Sequence, residues 1–537
     1  MAVFANTLTN GFVFDDRLLI TDQSYLLRNL KNILSPSVSM VFQDKTAASF
    51  YRPILMFSYF IDYNLWNGKP FGFHLSNLIF HLAGVLLVFY LVNLLLKDAV
   101  LAFFAGLAFS IHPLQSEAVA WISGRNDPLM LVFILLSFAF YVKLGGVPAD
   151  RRAGPLLGLC LSFFLALLTK ESAVIFPLAF LGYDWLVREK SPFGREAIKP
   201  YFYLALTLIF YFVLKSWLIK NETWFADFSW VRLSDVPLVY GFYLSKLAFP
   251  GNFAVFPFVN LRPDMLSYLL SSVPFLLLVF SLFFFRKRSP LFAFGIWWAF
   301  IALLPVSGLI TVPITVMEHR IYSAMFGLVL AFAAFLAYLK KYISKTPIYF
   351  LVTLLLIYFS WKTVERSTFF RDETTLWEIT VSNNPYSDRA HTNLGVSYLD
   401  IGKYARAEEE FKEALKTNPR NEVAHYNLGY LYLKTGRTLL GKKELEEAVY
   451  LDPRYIKAHY NLGILALNSG AYEQAAEKME QIIGLRPDFV PAYDSAGDAF
   501  YNMGKDSKAI EYYELAQKID PKDVHSKMML EKLGLGK

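Results

Sequence analysis

Residues 421–454 read NEVAHYNLGYLYLKTGRTLLGKKELEEAVYLDPR, and residues 455–488 read YIKAHYNLGILALNSGAYEQAAEKMEQIIGLRPD. The two stretches align without a gap at a period of 34 residues. The same period continues on both sides of them. It is marked by Gly395, Gly429, Gly463 and Gly497, and by Pro419, Pro453, Pro487 and Pro521. A repeat of this length is one helix–turn–helix unit that stacks on its neighbours to build a continuous core.

This period is typical of tetratricopeptide repeats (TPRs), and it predicts an α-solenoid of four repeats and a capping helix over 390–537. His391, His425 and His459 recur with the same spacing, four residues before the glycine. An aromatic residue is expected at that position, so we interpret these histidines as packing residues and predict no metal there.

A row of amides follows the same period two residues before each glycine, at Asn393, Asn427 and Asn461. If the row lines the concave face of the solenoid, its amides can hydrogen-bond an extended peptide without reading its sequence. The alternative is internal capping and packing of the helices. We predict binding of an acceptor peptide or a partner protein.

The chain before the repeats is rich in long apolar stretches, and the whole chain is 55% hydrophobic and only 18% charged. Predicted membrane helices lie at 73–96, 99–119, 128–144, 155–170, 172–188, 199–219, 266–285, 290–312, 321–339 and 347–361. The fold class is therefore all-α. We expect a polytopic membrane domain over 1–361, a polar connector over 362–389 and the TPR domain over 390–537.

The loops between these helices predict an orientation. Basic loops at 151–152, 188–199, 286–288 and 340–341 are expected in the cytoplasm, which explains the net charge of +7 without a nucleic-acid partner. The acidic and histidine-containing loops and the repeats then lie on the extracytoplasmic or luminal face. Short external loops favour a bacterial inner membrane. No helix precedes Asp15 and Asp16, so we expect a missing first membrane helix.

Asp15 and Asp16 are the first candidate catalytic residues. Adjacent carboxylates near a membrane suit a general base or an acceptor-binding group, and the alternative is a solvated turn. A divalent cation is possible at Asp15 and Asp16, but two carboxylates are too few to specify one. His112 and Glu117, where an apolar span ends, are candidates for stabilising a charged intermediate or orienting these acids. The alternative there is a polar cluster that caps helices.

Basic side chains on the same predicted face are candidates for binding a lipid phosphate. They are Lys170, Arg320, His319 and Arg125. For Lys170 the alternative is an interfacial lysine paired with the neighbouring Glu171, and for Arg320 it is a membrane anchor.

Four blocks in order carry a family resemblance: NGFVFDD at 10–16, HPLQSEAVAWISGRND at 112–127, KE at 170–171 and MEHRIY at 317–322. Followed by TPRs, they resemble the TMTC-like proteins, transmembrane and tetratricopeptide-repeat O-mannosyltransferases with the GT-C membrane fold. The resemblance implies a sugar donor linked to polyprenyl or dolichyl phosphate, used on the outer or luminal face. Inversion at the sugar carbon follows if one carboxylate activates the acceptor directly. The family's acidic motif falls on Asp15 and Asp16, and its arginine matches Arg320.

Two other functions stay open at this level. One is a non-enzymatic membrane scaffold whose TPR arm recruits partners for envelope assembly or secretion. The other is a glycan polymerase or ligase with a saccharide acceptor. The clustering of acids, histidines and arginines on one face favours the glycosyltransferase, because a scaffold does not need it.

Overall fold

The computed structural model describes residues 2–22, 24, 26–34, 51–189, 198–218, 234–255, 257, 264–307 and 316–535. Every regular element within these ranges is helical, which confirms the all-α class. The chain forms two compact units, Met1–Asn383 and Asn384–Lys537.

The first unit is a bundle of helices around one large apolar core. Its α-helices are Leu30–Leu34, Pro53–Trp66, Pro70–Leu96, Ala99–Ile111, Ser116–Ala120, Asn126–Leu144, Ala153–Leu167, Phe176–Leu186, Ile198–Leu218, Asp235–Ala248, Met265–Phe285, Pro290–Leu303, Tyr322–Leu339, Lys345–Ser367 and Glu373–Asn383. Short 3-10 turns precede several of them, including Pro113–Gln115, Ile122–Arg125, Glu171–Ile175 and Glu318–Ile321. Arg125, His319 and Arg320 lie in these turns, and His112 and Lys170 directly precede two of them.

Among the described residues, six helical segments are long and apolar enough to cross a bilayer. They are Pro70–Leu96, Ile122–Leu144, Ile198–Leu218, Met265–Phe285, Glu318–Leu339 and Lys345–Phe370. A bent pair, Ala99–Ile111 with Pro113–Ala120, adds a seventh if it is one span. The chain is therefore a multi-pass membrane protein.

Several predicted helices end earlier than the apolar pattern suggested. The predicted helix 99–119 bends by 51° after Ile111, because Pro113 lacks an N–H and its ring disfavours a helical residue before it. The predicted helix 172–188 begins as an α-helix only at Phe176, and the helix of 290–312 ends at Leu303. The predicted connector 362–389 contains the end of one helix and all of Glu373–Asn383.

The second unit consists of four helix pairs and a capping helix, as the period predicts. Its α-helices are Asp388–Asp400, Tyr404–Thr417, Glu422–Lys434, Thr438–Leu451, Ile456–Asn468, Tyr472–Leu485, Val490–Asn502, Asp506–Ile519 and Val524–Lys532. The repeat glycines are sites of close approach: a Cβ on Gly395 would lie 2.5 Å from the Phe411 ring. Neighbouring helices can therefore pack closely.

The recurring histidines are packing residues, as predicted. The Nε2 atoms of His391, His425 and His459 lie 3.0, 3.1 and 2.9 Å from the carbonyl oxygen of the preceding repeat-end proline. In the fourth repeat Tyr493 donates its hydroxyl to Pro487 in the same way, at 2.9 Å. Each side chain thus ties a helix to the turn before it.

Candidate functional site

Asp16 is held by hydrogen bonds in the aspartate loop, residues 10–16. Its Oδ1 accepts from both the backbone N–H of Ser123 at 2.8 Å and the Ser123 hydroxyl at 2.5 Å, and its Oδ2 accepts from Val13 N–H at 3.2 Å. The side chain is fully buried, and burial raises the pKa of Asp16 to about 7 although these hydrogen bonds lower it. Asp16 therefore anchors the aspartate loop to the turn Ile122–Arg125.

Asp15 is in a different environment although it is the next residue. It is half-buried, and no hydrogen bond engages its carboxylate within the part of the chain that the structure describes. Burial raises its pKa to about 6, the charge of His319 lowers it, and the charge of Glu373 raises it. Asp15 thus lies within the electrostatic reach of His319, and its carboxylate is more exposed than that of Asp16 and mostly ionised at neutral pH.

His319 lies between two carboxylates. Its backbone N–H donates to Glu117 Oε2 at 2.8 Å, and its ring Nδ1 lies 2.9 Å from Glu117 Oε1. On the other side, Nε2 is 3.9 Å from Asp127 Oδ2. Trp121 packs edge-on against the imidazole, with ring centroids 5.6 Å apart. Glu117 therefore orients His319 rather than acting beside the aspartates.

Lys170 extends this row of charges. Its ammonium lies 2.6 Å from Asp127 Oδ1 and 3.1 Å from Asn126 Oδ1. The charge of Arg320 acts on Lys170, so the two predicted phosphate ligands are neighbours. Arg320 is half-buried. Lys170, Arg320 and His319 are therefore grouped around Asp127, and two cations with an imidazole are an arrangement that can hold a phosphate.

Arg125 is placed differently from the prediction. Its guanidinium is fully buried and donates to Asp62 at 2.6 Å, to Asn77 at 2.8 Å and to the carbonyl of Phe73 at 2.7 Å. Every nitrogen of the group has a protein acceptor, so the geometry favours a structural role over phosphate binding. Arg125 fixes the turn that carries Ser123.

His112 also has structural contacts. It ends the helix Ala99–Ile111, its Nδ1 accepts from Leu114 N–H at 3.2 Å, and its ring lies against Phe359 with centroids 4.4 Å apart. These contacts match the helix-capping alternative for this residue. Glu318, beside His319, belongs to a separate buried ion cluster with Lys246 and Arg366.

A narrow cleft opens next to the aspartates. It is lined by Phe14, Glu117, Trp121, Val255, Phe370 and Leu376, and it is too narrow to hold a water molecule. A ligand would therefore enter it only if these side chains moved apart. Within the described ranges, no group of three or more His, Cys, Asp or Glu side chains is arranged to hold a metal.

The amide row lies in the second unit, at equivalent and half-buried positions. Asn427 donates to the carbonyl of Val423 in its own helix at 2.8 Å, and Asn461 lies 3.5 Å from the Tyr426 hydroxyl. Each of these two amides keeps hydrogen-bonding capacity beyond these contacts. Asn393 holds the same register in the first repeat.

Three site residues were not identified from the sequence: Ser123, Asp127 and Glu373. Ser123 and Asp127 lie inside the quoted block at 112–127, so that block contained the signal. Nothing in the sequence pattern singles out Glu373, which lies 359 residues after Phe14, the residue it contacts.

Comparisons with known proteins agree with this architecture. Models of the tetratricopeptide repeat match residues 395–436, 423–455 and 460–524. Among solved structures, MamA is 26% identical over 28% of this chain and 87% of its own, with a TM-score of 0.26. YrrB, described as a TPR protein with an unusual peptide-binding site, is 21% identical over 37% of this chain and 97% of its own, with a TM-score of 0.27.

Curated relatives extend the similarity into the membrane unit. Protein O-mannosyl-transferase F38B6.6 of Caenorhabditis elegans is 26% identical over 440 residues, covering 77% of this chain and 61% of the relative. Human protein O-mannosyl-transferase TMTC1 is 25% identical over 70% of this chain and 48% of its own length. Drosophila melanogaster protein O-mannosyl-transferase Tmtc1 is 32% identical over 36% of this chain and 22% of its own length. The chain thus spans about three fifths of the worm relative and less of the other two.

These relatives come from animals, so they give no support to the bacterial inner membrane that the sequence favoured. Their names, the membrane helices and the repeats together confirm the resemblance of this chain to the transmembrane and tetratricopeptide-repeat O-mannosyltransferases.

Proposed function

We propose that this chain is an integral-membrane glycosyltransferase that moves a sugar from a polyprenyl-phosphate donor to a hydroxyl of a protein acceptor. The observation that carries the proposal is the cluster of Lys170, Asp127 and His319, in which Asp127 lies 2.6 Å from the Lys170 ammonium and 3.9 Å from the His319 ring, close enough to Asp15 for the charge of His319 to act on it. A carboxylate next to a cationic group is what transfer from a lipid phosphate requires. The names of the relatives make mannose the first sugar to test.

In this proposal Asp15 accepts the proton of the acceptor hydroxyl. The oxygen then attacks the anomeric carbon, and the bond from that carbon to the phosphate oxygen breaks. The polyprenyl phosphate leaves with the electron pair, stabilised by Lys170, Arg320 and His319. One direct displacement inverts the configuration at the anomeric carbon, and no covalent enzyme intermediate is needed.

Asp15 suits the role of base better than Asp16 does. Both oxygens of Asp16 already accept hydrogen bonds from the protein, whereas Asp15 is the more accessible carboxylate. A pKa of about 6 leaves Asp15 ionised at neutral pH, and it remains a stronger base than an ordinary aspartate. Asp16 then acts as the positioning residue that holds the aspartate loop.

The repeats would supply the acceptor. Asn393, Asn427 and Asn461 occupy equivalent positions on successive repeats, a spacing that suits an extended peptide. We place the site and the repeats on the extracytoplasmic or luminal face, because the basic loops then lie in the cytoplasm.

The test is transfer by the purified chain in lipid nanodiscs. Labelled mannose and glucose, each on dolichyl or undecaprenyl phosphate, are incubated with serine- and threonine-containing peptides. We expect mannose transfer, a loss of about a hundredfold or more for Asp15→Asn, and an unchanged rate for Asp150→Asn, an aspartate in an exposed loop. Full transfer by Asp15→Asn would rule out its role, and absence of transfer with partner binding retained would favour the scaffold.

A further inference from the structure

We infer that Glu373 is a positioning residue for Asp15, in the segment that leads from the last membrane helix towards the repeats. The inference rests on the proposed function, since it assigns to that site a residue from outside the four family blocks. Both oxygens of the Glu373 carboxylate are engaged. Oε2 accepts from Phe14 N–H at 2.7 Å, and Oε1 accepts from Trp377 Nε1–H at 2.5 Å.

The backbone at Phe14 explains why this contact matters. Phe14 has a φ of +53°, a left-handed conformation that bulky residues rarely adopt. Asp15 follows directly, so the direction of its side chain depends on this kink being kept. Glu373 binds the N–H of the kinked residue, and the Phe14 ring packs between Trp377 at 5.4 Å and Trp121 at 5.5 Å.

Further hydrogen bonds join the aspartate loop to residues 367–377. Gly11 N–H donates to the carbonyl of Arg371 at 2.9 Å, and the Asn10 side chain lies 3.4 Å from the carbonyl of Ser367. The aspartate loop is thus held on one side by Ser123 and on the other by residues 367–377. The helix Glu373–Asn383 ends where the repeat unit begins in sequence.

Glu373 also acts on Asp15 through its charge. Among the described residues, the charged groups that act on Asp15 are His319, Glu373 and the neighbouring Asp16, and His319 is itself bound by Glu117. The charge of Glu373 raises the pKa of Asp15. Next to Glu373, Arg371 and Asp372 pair with each other at 2.9 Å and largely cancel.

Glu373→Gln and Glu373→Ala separate the effect of the Glu373 charge on Asp15 from the effect of its hydrogen bond to Phe14. Glutamine keeps an oxygen for Phe14 N–H, gives up the acceptor for Trp377 Nε1–H and removes the charge, so the pKa of Asp15 should fall by about half a unit. The acid limb of the transfer rate should move to lower pH by the same amount. Alanine leaves two buried donors unpaired, and kcat should fall about tenfold or more. Glu378→Gln, an exposed carboxylate on the same helix, is the control and should match the wild type.

A second readout does not depend on transfer. Labelling of Asp15 by a hydrophobic carbodiimide requires the protonated carboxyl, so its extent against pH, measured by mass spectrometry, reports the pKa of Asp15 directly. We expect the midpoint to move to lower pH in Glu373→Gln and to stay in place in Glu378→Gln. Equal midpoints in the two variants, with kcat unchanged in Glu373→Ala, would overturn the inference. If the labelling midpoint of Asp15 shifts in Glu373→Gln but the wild-type chain transfers no sugar, the inference about Glu373 stands and the proposed function is rejected.

Discussion

Replacing Ser123 with alanine removes one of the three hydrogen bonds that hold Asp16. The lost contact is the 2.5 Å bond from the Ser123 hydroxyl to Oδ1, while the 2.8 Å bond from the Ser123 N–H to the same oxygen remains. A hydrogen bond to a charged buried group contributes about 1.5–3 kcal/mol, and one between neutral groups about 0.5–1.5 kcal/mol. The effect of the substitution should therefore depend on whether Asp16 is ionised.

The sign of the pH dependence follows from the pKa of Asp16, which is about 7 in the folded chain against an ordinary value of 3.8 for aspartate. Proton binding favours the folded state, so the contribution of Asp16 to stability is greatest below pH 3.8 and is lost as the pH rises to about 7. Without the hydroxyl the folded pKa should rise by about one unit, because one unit corresponds to about 1.4 kcal/mol. Ser123→Ala should destabilise the chain by about 1.5–3 kcal/mol above that range and by about 1 kcal/mol below it.

The assay is thermal unfolding in nanodiscs at about one and a half units below and above the pKa of Asp16. Ser123→Thr keeps a hydroxyl and should stay near the wild type. Ser116→Ala is the matched control, because the Ser116 hydroxyl is buried and has no hydrogen-bond partner within the described ranges. A loss of stability that is equal at both pH values, or equal in Ser123→Ala and Ser116→Ala, would refute this account of Asp16. In transfer assays of Ser123→Ala, the pH at which the rate falls on the acid side should not change, because protonation of Asp15 sets that pH. A shift to higher pH would instead make Asp16 the base.

Three further substitutions test other parts of the structure. Lys170→Met should raise the KM for the lipid donor about tenfold or more, because it removes a proposed phosphate ligand. Lys170→Arg keeps a cation and should raise the KM less. Initial rates measured against donor concentration give both values. Arg125→Met should lower the yield of folded protein, because it removes the partner of the buried Asp62 carboxylate, which costs about 3–5 kcal/mol. A normal yield with an unchanged melting temperature would contradict the network. The side-chain hydrogen bond to Glu410 raises the pKa of His391, so this pair stabilises the repeats below pH 6.5 and loses that effect as the pH rises through the folded pKa. Glu410→Gln should therefore reduce the difference in melting temperature of the repeats between acidic and alkaline buffer.

Periodic and compositional features were predictable from the sequence. The repeats were recognised because a glycine and a proline recur at one fixed interval, and the spacing alone places both in a helix pair. The membrane helices followed from apolar length, although their ends did not. Hydropathy continues through Pro113 and Leu303, whereas the helices stop near these residues for reasons of backbone geometry.

The contacts within the site were not predictable in the same way. Ser123 meets Asp16 across 107 residues, and His319 meets Glu117 across 202. No periodic signal connects residues that far apart. The arginine in the block at 112–127 looked like a phosphate ligand because arginine suits that role. Its burial among acceptors from two other helices, Pro53–Trp66 and Pro70–Leu96, depends on packing that a single sequence does not reveal.

The contacts of Lys170 suggest how a donor phosphate could enter without breaking the site. An ammonium has three N–H donors. Two of them are directed at Asp127 and Asn126, and the third has no protein acceptor within the described ranges. A phosphate oxygen that takes this third donor leaves the ion pair with Asp127 intact, so Lys170 stays in place when the charged donor binds and when the product leaves. Asp127 also lies 3.9 Å from His319, whose charge acts on Asp15 and whose ring is oriented by Glu117. In the proposed reaction, the residue that binds the phosphate and the imidazole near the base are therefore both next to one carboxylate, so that binding of the donor and removal of the proton depend on one geometry.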